Sequence, residues 1–550
     1  MKKTTTTIIF LMIFLAAVGI TCQTSASKPP RNAEIIQVSA GTSLQTWLDQ
    51  AAIEFNAEKF KSEDNKPYYV EITYQEAGQA ISQGSGAVFE PDLWIPDNFV
   101  WAELAAEIGN PAYIEDCQSV ASSPLVIAMW QPIAESLGWP GRDLGWLDIG
   151  SLAADPTAWN YYSGGQFGSS LRLGHTHPGL SPSGTSTLLA VVHAAQSKQA
   201  AVAVVEIELP IVQASVSAFE SAVSTFSQDT GSLSALMNQR GSSYLGAAVV
   251  YENLVFEYAG QNPAIIPIYP LEGTFIADFP ACVKMDAPEN RLQGSRAFRD
   301  YLLSEDGQQF ASEAGLRTEN GSVAEMPFAQ PEQPTIVFES PSTDTIYAIQ
   351  HLWDSARKAV NLVMVIDTSG SMEGNKLVQV KKAAVDFIEN MADSDYISIV
   401  VYNQTEFSSS HPVITIIEHA SLKTTRQSAI DAIRRLDAFG PTPLYDSIGI
   451  SADIIDKTKS SQTSNALVLL TDGMDTASVM HRFNDQLYTL AMANSTAIYT
   501  IAFGNDADEE ILSELAIMTN GNFYIGDQSN IGDIYQEMTV IFGGGVGIGR

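Results

Sequence analysis

Histidine and cysteine are scarce in this 550-residue chain, seven and three respectively, and no spacing among them matches a zinc site. No Gly-x-Ser-x-Gly turn, His-Glu-x-x-His helix, phosphate-binding loop or dinucleotide fingerprint occurs. The common signatures of hydrolases, metalloproteases, kinases and dehydrogenases are therefore missing. Paired carboxylates could still form an acid-base site among so many acids, but nothing in the sequence positions such a pair, and the chain is read as non-enzymatic. Basic residues are few as well: 29 Lys and Arg stand against 63 Asp and Glu, a net charge of -34. That field repels phosphate backbones and anionic lipid surfaces and excludes nucleic acid as a partner. Long apolar runs are also lacking. The longest spans residues 8–20, well short of the ~20 residues a membrane-spanning helix needs.

What is present begins with an address. Lys2 and Lys3 precede the apolar run, so residues 1–27 read as an export signal rather than as fold. Cys22 follows directly, at the place where bacterial lipoproteins carry the cysteine that is lipidated. The residues before it, Gly19, Ile20 and Thr21, depart from the usual pattern, and cleavage near Ala26 is the alternative. Either way the chain is expected outside the cytoplasm: lipidation, the preferred reading, holds it on the outer face of the membrane with a lipid as its only membrane contact, and the alternative places it in the periplasm or at the cell surface. Only Cys117 and Cys282 then remain, either bridged in an oxidising compartment or kept as two buried thiols.

The composition, 45% hydrophobic and 17% charged, is that of a globular protein, and the length calls for more than one core. Strand patterns at residues 35–38, 68–74, 125–130, 201–206, 246–250 and 274–285 alternate with helical ones at 44–55, 185–195 and 290–304, the signature of α/β layers. Residues 318–345 turn to Glu, Pro, Ser, Thr and Gln and read as a linker. From residue 361 the alternation becomes regular, with strands at 362–366, 396–402, 413–417, 466–470, 498–503 and 523–525. Between the first two, Leu377, Val380, Ala384, Phe387, Ile388 and Met391 mark one face of a helix. The second unit is set at 346–542, and the glycine-rich residues 543–550 read as a flexible tail.

Immediately after the strand 362–366 comes Asp367-Thr368-Ser369-Gly370-Ser371, a carboxylate and hydroxyls on a loop that Gly370 lets turn sharply. Hard oxygen donors with few charges suit a divalent cation that keeps positions open for other ligands. Gly440-Pro441-Thr442 and Thr471-Asp472-Gly473 supply further oxygens at element ends. These residues resemble the von Willebrand factor A family, whose metal-ion-dependent adhesion site combines Asp-x-Ser-x-Ser with a distal Thr and Asp. The resemblance covers residues 361–542. It implies a doubly wound, Rossmann-like sheet with Asp367, Ser369, Ser371, Thr442 and Asp472 as metal ligands. Magnesium is the implied ion, or manganese or calcium, and the implied partner is a protein offering an acidic side chain. Asp446 and Asp475 lie nearby and read as surface carboxylates.

In the first unit, Gly174-His175-Thr176-His177-Pro178 leads to Ser181-Pro182-Ser183-Gly184-Thr185 at a helix start, where free amides and the helix dipole favour a polar or anionic solute. His175 and His177, without a third ligand, are expected in solvent. With the strand-loop-helix at 38–48, the turn at 91–98 and the ending Phe298-Arg299-Asp300-Tyr301-Leu302, residues 35–317 resemble type 2 periplasmic solute-binding proteins, two α/β lobes closing on a ligand. The resemblance implies a cleft lined by Thr42, Ser43, Asp97, Ser183, Thr185 and Tyr251. The chain is thus read as an exported binding protein that recognises protein through a metal site. Its alternative is the substrate-binding component of an ABC-type uptake system, with the C-terminal domain as docking module.

Overall fold

In a computed structural model, residues 28–82, 89–403, 411–460, 463–483, 496–545 and 548 are described; the export signal and Cys22 lie outside them. Three sheets organise the chain. The first has the order Tyr68–Tyr74, Glu34–Ala40, Leu93–Ile95, Pro280–Val283, Cys117–Ser119. Its first three strands are parallel and Pro280–Val283 runs against both neighbours. The second has the order Ile276–Ala277, Ser123–Trp130, Ala247–Tyr251, Leu173–Thr176, Val223–Ser227, and Ile265–Ile268 also pairs with Ser123–Trp130. The chain leaves the first sheet, builds the second, and returns at Pro280–Val283, which gives two lobes. Cys117 and Cys282 are opposed across the edge of the first sheet and form a disulfide.

Two expected strands differ. Residues 201–206 begin a short helix, Val204–Ile207, because Glu206 turns back to accept the Ala203 N–H at 2.7 Å and pairs with Lys198; the capping bond outweighs the β-branched run. Residues 274–285 form two short strands, Ile276–Ala277 and Pro280–Val283, one in each sheet.

The third sheet has the order Val413–Ser421, Tyr396–Tyr402, Ala359–Ile366, Thr463–Thr471, Ala497–Phe503, Phe523–Gly526, parallel except for its first member. Alternation along Ala359–Ile366 sends Leu362, Met364 and Ile366 into one core and Val363 and Val365 into the other, as a sheet covered on both faces requires. The helix Asn375–Asn390 buries Leu377, Val380, Ala384, Phe387 and Ile388 as its periodicity implies. Strand order reverses between Ala359–Ile366 and Thr463–Thr471, so the loops after these neighbours open onto the crevice such sheets use for ligands.

The joint between the units is built from named contacts. Phe338 is buried in the core of the first region. The helix Thr343–Ala356 puts Ile349 and Trp353 into that same core, and the Trp353 indole donates to Glu220 at 3.1 Å. A unit starting at 346 therefore begins with a helix packed on its predecessor. Arg357 then enters the third sheet's domain, holding Asp395 through bonds of 3.0 and 3.1 Å. Arg240 of the second lobe donates to the Gly521 carbonyl and Asn522, both at 2.8 Å. Past residue 542, the amides of Gly544 and Gly545 donate to Thr539 and Asn390, and Ile548 is buried with its amide on the Gly179 carbonyl. These bonds tie down residues whose glycines read as flexible.

Candidate functional site

At the crevice of the third sheet, Asp367 ends its strand with its amide on the Leu470 carbonyl. Its carboxylate accepts from the Ser369 amide at 2.8 Å and the Thr471 hydroxyl at 2.7 Å. The Ser369 and Ser371 hydroxyls are 3.0 Å apart, and Ser371 donates to Asp472 Oδ1 at 2.6 Å. Asp367, Ser369 and Asp472 are buried while Ser371 is exposed, so the oxygens form a cup open on one side. Burial raises the Asp367 carboxyl above its ordinary range; its bonds to Ser369 and Thr471 oppose this and the nearby Asp472 adds to it.

The third loop is held independently. Thr368 exchanges hydrogen bonds with the Tyr402 backbone, the Gly370 amide donates to the Gly440 carbonyl at 2.9 Å, and Asn403 donates to the Phe439 and Pro441 carbonyls. Gly440 has φ +78°, and a Cβ there would lie 2.8 Å from Asn403 Cγ, so glycine is required. Thr442, 5% exposed, follows, with its amide on Thr476 Oγ1 at 2.9 Å and its carbonyl on the Thr476 amide. This latching aligns the Thr442 loop with the loop that leaves Asp472.

Sequence reasoning named Thr471 beside Asp472 without a role, which is to position Asp367, and it missed one group altogether. Lys376 reaches across from the following helix to place its ammonium 2.6 Å from Asp472 Oδ2, which its place in an amphipathic pattern does not reveal. Asp446 is not a surface carboxylate. It is fully buried and accepts the amides of Val479, Met480 and His481 at 2.9, 2.9 and 2.7 Å. Burial pushes its carboxyl up, but these amides outweigh that and hold it below the usual range. Asp475 is partly exposed, accepting from the Tyr445 amide and Ser478.

Hard donors in this cup, two carboxylates and three hydroxyl-bearing residues, fit a magnesium-like ion that takes few charged ligands and keeps waters. The ammonium of Lys376 already marks the carboxylate pair as a place for positive charge. Among the described residues no three His, Cys, Asp or Glu side chains are grouped to hold a metal ion; this cup relies on hydroxyls instead.

Between the first two lobes lies the second candidate. Ser183, Thr185, Ser43, Asp97 and Tyr251 are buried and Thr42 is partly so. Thr185 is turned away, donating to the Pro178 carbonyl at 2.6 Å. Ser183 bonds to Thr176 and Thr230 at 2.7 and 2.9 Å. Two residues outside the sequence reading join them. Glu76 accepts from Ser181 at 2.6 Å and Thr42 at 3.0 Å, and Thr42 is 2.9 Å from Asp229, the N-cap of the helix Thr230–Arg240. Asp97 pairs with the Tyr251 hydroxyl, and burial pushes its carboxyl up to about 6. Burial, with Asp97 and Asp229 adding, pushes the Glu76 carboxyl up to about 8. His175 and His177 are not in solvent but buried: His175 pairs with Glu220 at 2.9 Å, beneath Trp353.

Known proteins divide the chain at the same place. Residues 36–317, just over half the chain, match the family model of bacterial extracellular solute-binding proteins, and residues 361–537 match that of the von Willebrand factor type A domain. An uncharacterized protein of Synechocystis sp. is 28% identical over 186 residues, 33% of this chain and 41% of its own length. Inter-alpha-trypsin inhibitor heavy chain H1 of Bos taurus is 29% identical over 167 residues, 29% of this chain and 18% of its own. The chain thus spans less than half the length of these curated relatives. Among solved structures, a von Willebrand factor type A protein from Catenulispora acidiphila aligns with 22% identity and a TM-score of 0.29, covering 34% of this chain and 43% of its own. The periplasmic binding protein AfuA from Actinobacillus pleuropneumoniae, with fructose-6-phosphate bound, aligns with 13% identity and a TM-score of 0.43, covering 59% and 98%.

Proposed function

The chain belongs to the bacterial extracellular solute-binding protein family and carries a von Willebrand factor type A domain behind that region, and from this premise we propose that it is a non-enzymatic, lipid-anchored protein that recognises other proteins through a divalent metal ion. Cys22 carries the lipid and fixes the chain at the outer face of the membrane. Asp367, Ser369, Ser371, Thr442 and Asp472 hold the ion, magnesium by preference with manganese or calcium as substitutes. When bound, the ion supplies an electrophile that an acidic side chain of the partner completes.

One observation carries this reading: Asp367, Ser369, Ser371 and Asp472 from two neighbouring strand ends are joined by hydrogen bonds of 2.6 to 3.0 Å, next to a separately latched Thr442. Such a cup has too few charges to saturate a divalent ion. The protein's own residues orient the cup, exclude water from Asp367 and leave Ser371 at the surface. Capture of partners from the cell surface by the full chain, with magnesium and with chelator, tests it. Capture that survives chelator counts against it.

The first region supports a second reading, the ligand-delivering component of an uptake system. Its two lobes and the polar groups between them favour a small solute there. No helix among the described residues is long and apolar enough to cross a membrane.

A further inference from the structure

The two lobes meet along a seam that the protein closes with its own groups. On the first-lobe side, the Gln79 amide donates to the Leu180 carbonyl at 2.9 Å, and Thr42 accepts from the Gly231 amide at 3.0 Å while donating to Asp229 at 2.9 Å. Asn253 of the second lobe donates to the Ser43 carbonyl at 2.9 Å. The approach is so close that a Cβ on Gly78 would lie 2.7 Å from the Leu180 carbonyl oxygen and 2.8 Å from that of Gly179. Only glycine lets backbone meet backbone there.

Two segments that flank the A domain in sequence cross this seam. In the helix Thr343–Ala356, residues three and four apart share a face, and Thr343, Ile346 and Tyr347 form a stripe toward the first lobe. Thr343 donates to Glu107 at 2.7 Å, and Ile346, 1% exposed, belongs to the apolar cluster of Trp94, Trp101 and Leu104. Thr345 and Trp353 lie on another stripe, toward the second lobe. Thr345 donates to the Val202 carbonyl at 2.9 Å and Trp353 to Glu220 at 3.1 Å, with the Trp353 ring 5.2 Å from Phe226, and Gln350 donates to the Pro178 carbonyl at 3.1 Å. One helix thus carries a separate face for each lobe, and it runs directly into the A domain, where Arg357 holds Asp395. Beyond the A domain, Ile548 spans the same seam: its side chain joins the first lobe's cluster and its amide donates to the Gly179 carbonyl of the second lobe at 3.1 Å.

We propose that these two segments form a clasp that holds the lobes shut and makes their opening depend on the A domain. Parting the lobes strips the helix of one of its two seated stripes and pulls Ile548 from its pocket or from Gly179. A displacement of the A domain moves Arg357, and with it the helix that closes the seam. The clasp goes beyond the solute-binding reading and does not rest on it, because every contact in it is made by the chain itself. Clasp and seam are coupled, so loosening either must loosen the other.

Hydrogen exchange of the full-length protein, followed peptide by peptide, tests the proposal from both directions. Ile346→Ala, Thr343→Ala and Ile548→Ser loosen the clasp, and Gly78→Ala wedges the seam. Exchange at the Gln79 and Gly231 amides should quicken about tenfold or more in Ile346→Ala, as truncation of a buried isoleucine implies, and severalfold in Thr343→Ala and Ile548→Ser. The strands Glu34–Ala40 and Ser123–Trp130, one inside each lobe, should keep their wild-type rates. Gly78→Ala should in turn quicken exchange across residues 343–356. Wild-type rates at Gln79 and Gly231 in all the clasp variants overturn the proposal. So does acceleration that reaches the two strands equally, since the helix then only stabilises the fold, and so does a Gly78→Ala protein whose residues 343–356 exchange as in wild type. Should Ile346→Ala fail to fold, Thr343→Ala and Ile548→Ser decide the matter on the same readings.

Discussion

Replacing Lys376 should tighten metal binding, an outcome opposite to that of most substitutions at a metal site. The ammonium sits 2.6 Å from Asp472 Oδ2, with the lysine side chain 30% exposed and the aspartate fully buried. An ion entering the cup must displace that contact or bear its repulsion. Exposed ion pairs contribute ~0–1 kcal/mol and charge-assisted hydrogen bonds ~1.5–3 kcal/mol. A partly screened pair of this kind lies between, at about 1–2 kcal/mol, which corresponds to roughly five- to thirtyfold in affinity. Lys376→Ala in the full chain should therefore lower the magnesium dissociation constant by that factor in calorimetric titration. Unfolding measured with chelator should show a small loss of stability, since Asp472 is then left without its cation. An unchanged or weaker affinity for magnesium would refute the reasoning, because Asp472 would then play no part in holding the ion.

Arg357→Ala should cost about 3–5 kcal/mol, because it strands the fully buried Asp395, which also accepts the amides of Val360 and Ala392; thermal unfolding checks this. Trp353→Ala should cost about 3–5 kcal/mol by emptying a core position at the joint, again read by thermal unfolding. For Glu76, raised to about 8, the folded state keeps a proton that the unfolded chain releases near its ordinary value. Stability should therefore fall as pH rises from about 4.5 to about 8, with Asp97 contributing below about 6, and Glu76→Gln should flatten the slope, most clearly above pH 6, in a melting series across pH. Cys22→Ala should release the protein from membranes or stall its processing, as fractionation would detect; a variant still membrane-bound and cut at the same place would remove the lipid from the account.

The metal cup was the most legible part because its signal is local. Asp367, Ser369 and Ser371 sit within five residues, and the strand 362–366 places them at a sheet end; period-2 alternation then fixed which neighbours were core. Lys376 was illegible because a side chain's reach across a crevice leaves no mark on periodicity. In the first region the lobes were legible from alternation, but the cleft was not. Glu76 and Asp229 lie 153 positions apart and meet only because Thr42 bridges the lobes. His175 and His177 read as solvent-exposed because loops usually are; here Glu220, Phe226 and Trp353 close over them. The run at 201–206 misled because β-branched residues favour strands only where no cap competes. Asp446, an acid on a polar stretch, looked like surface until the three amides it gathers were in view.

The central claim is that this protein presents a divalent ion from the A domain. Magnesium titrated into the full-length wild-type protein and into Asp367→Ala, each shown to be folded by its thermal unfolding, tests it most directly. The account predicts one site in the wild type, filled at or below millimolar concentration, and its loss in Asp367→Ala. A folded wild type that binds neither magnesium nor manganese at millimolar concentration, or an Asp367→Ala protein that binds both as well as wild type does, would contradict it.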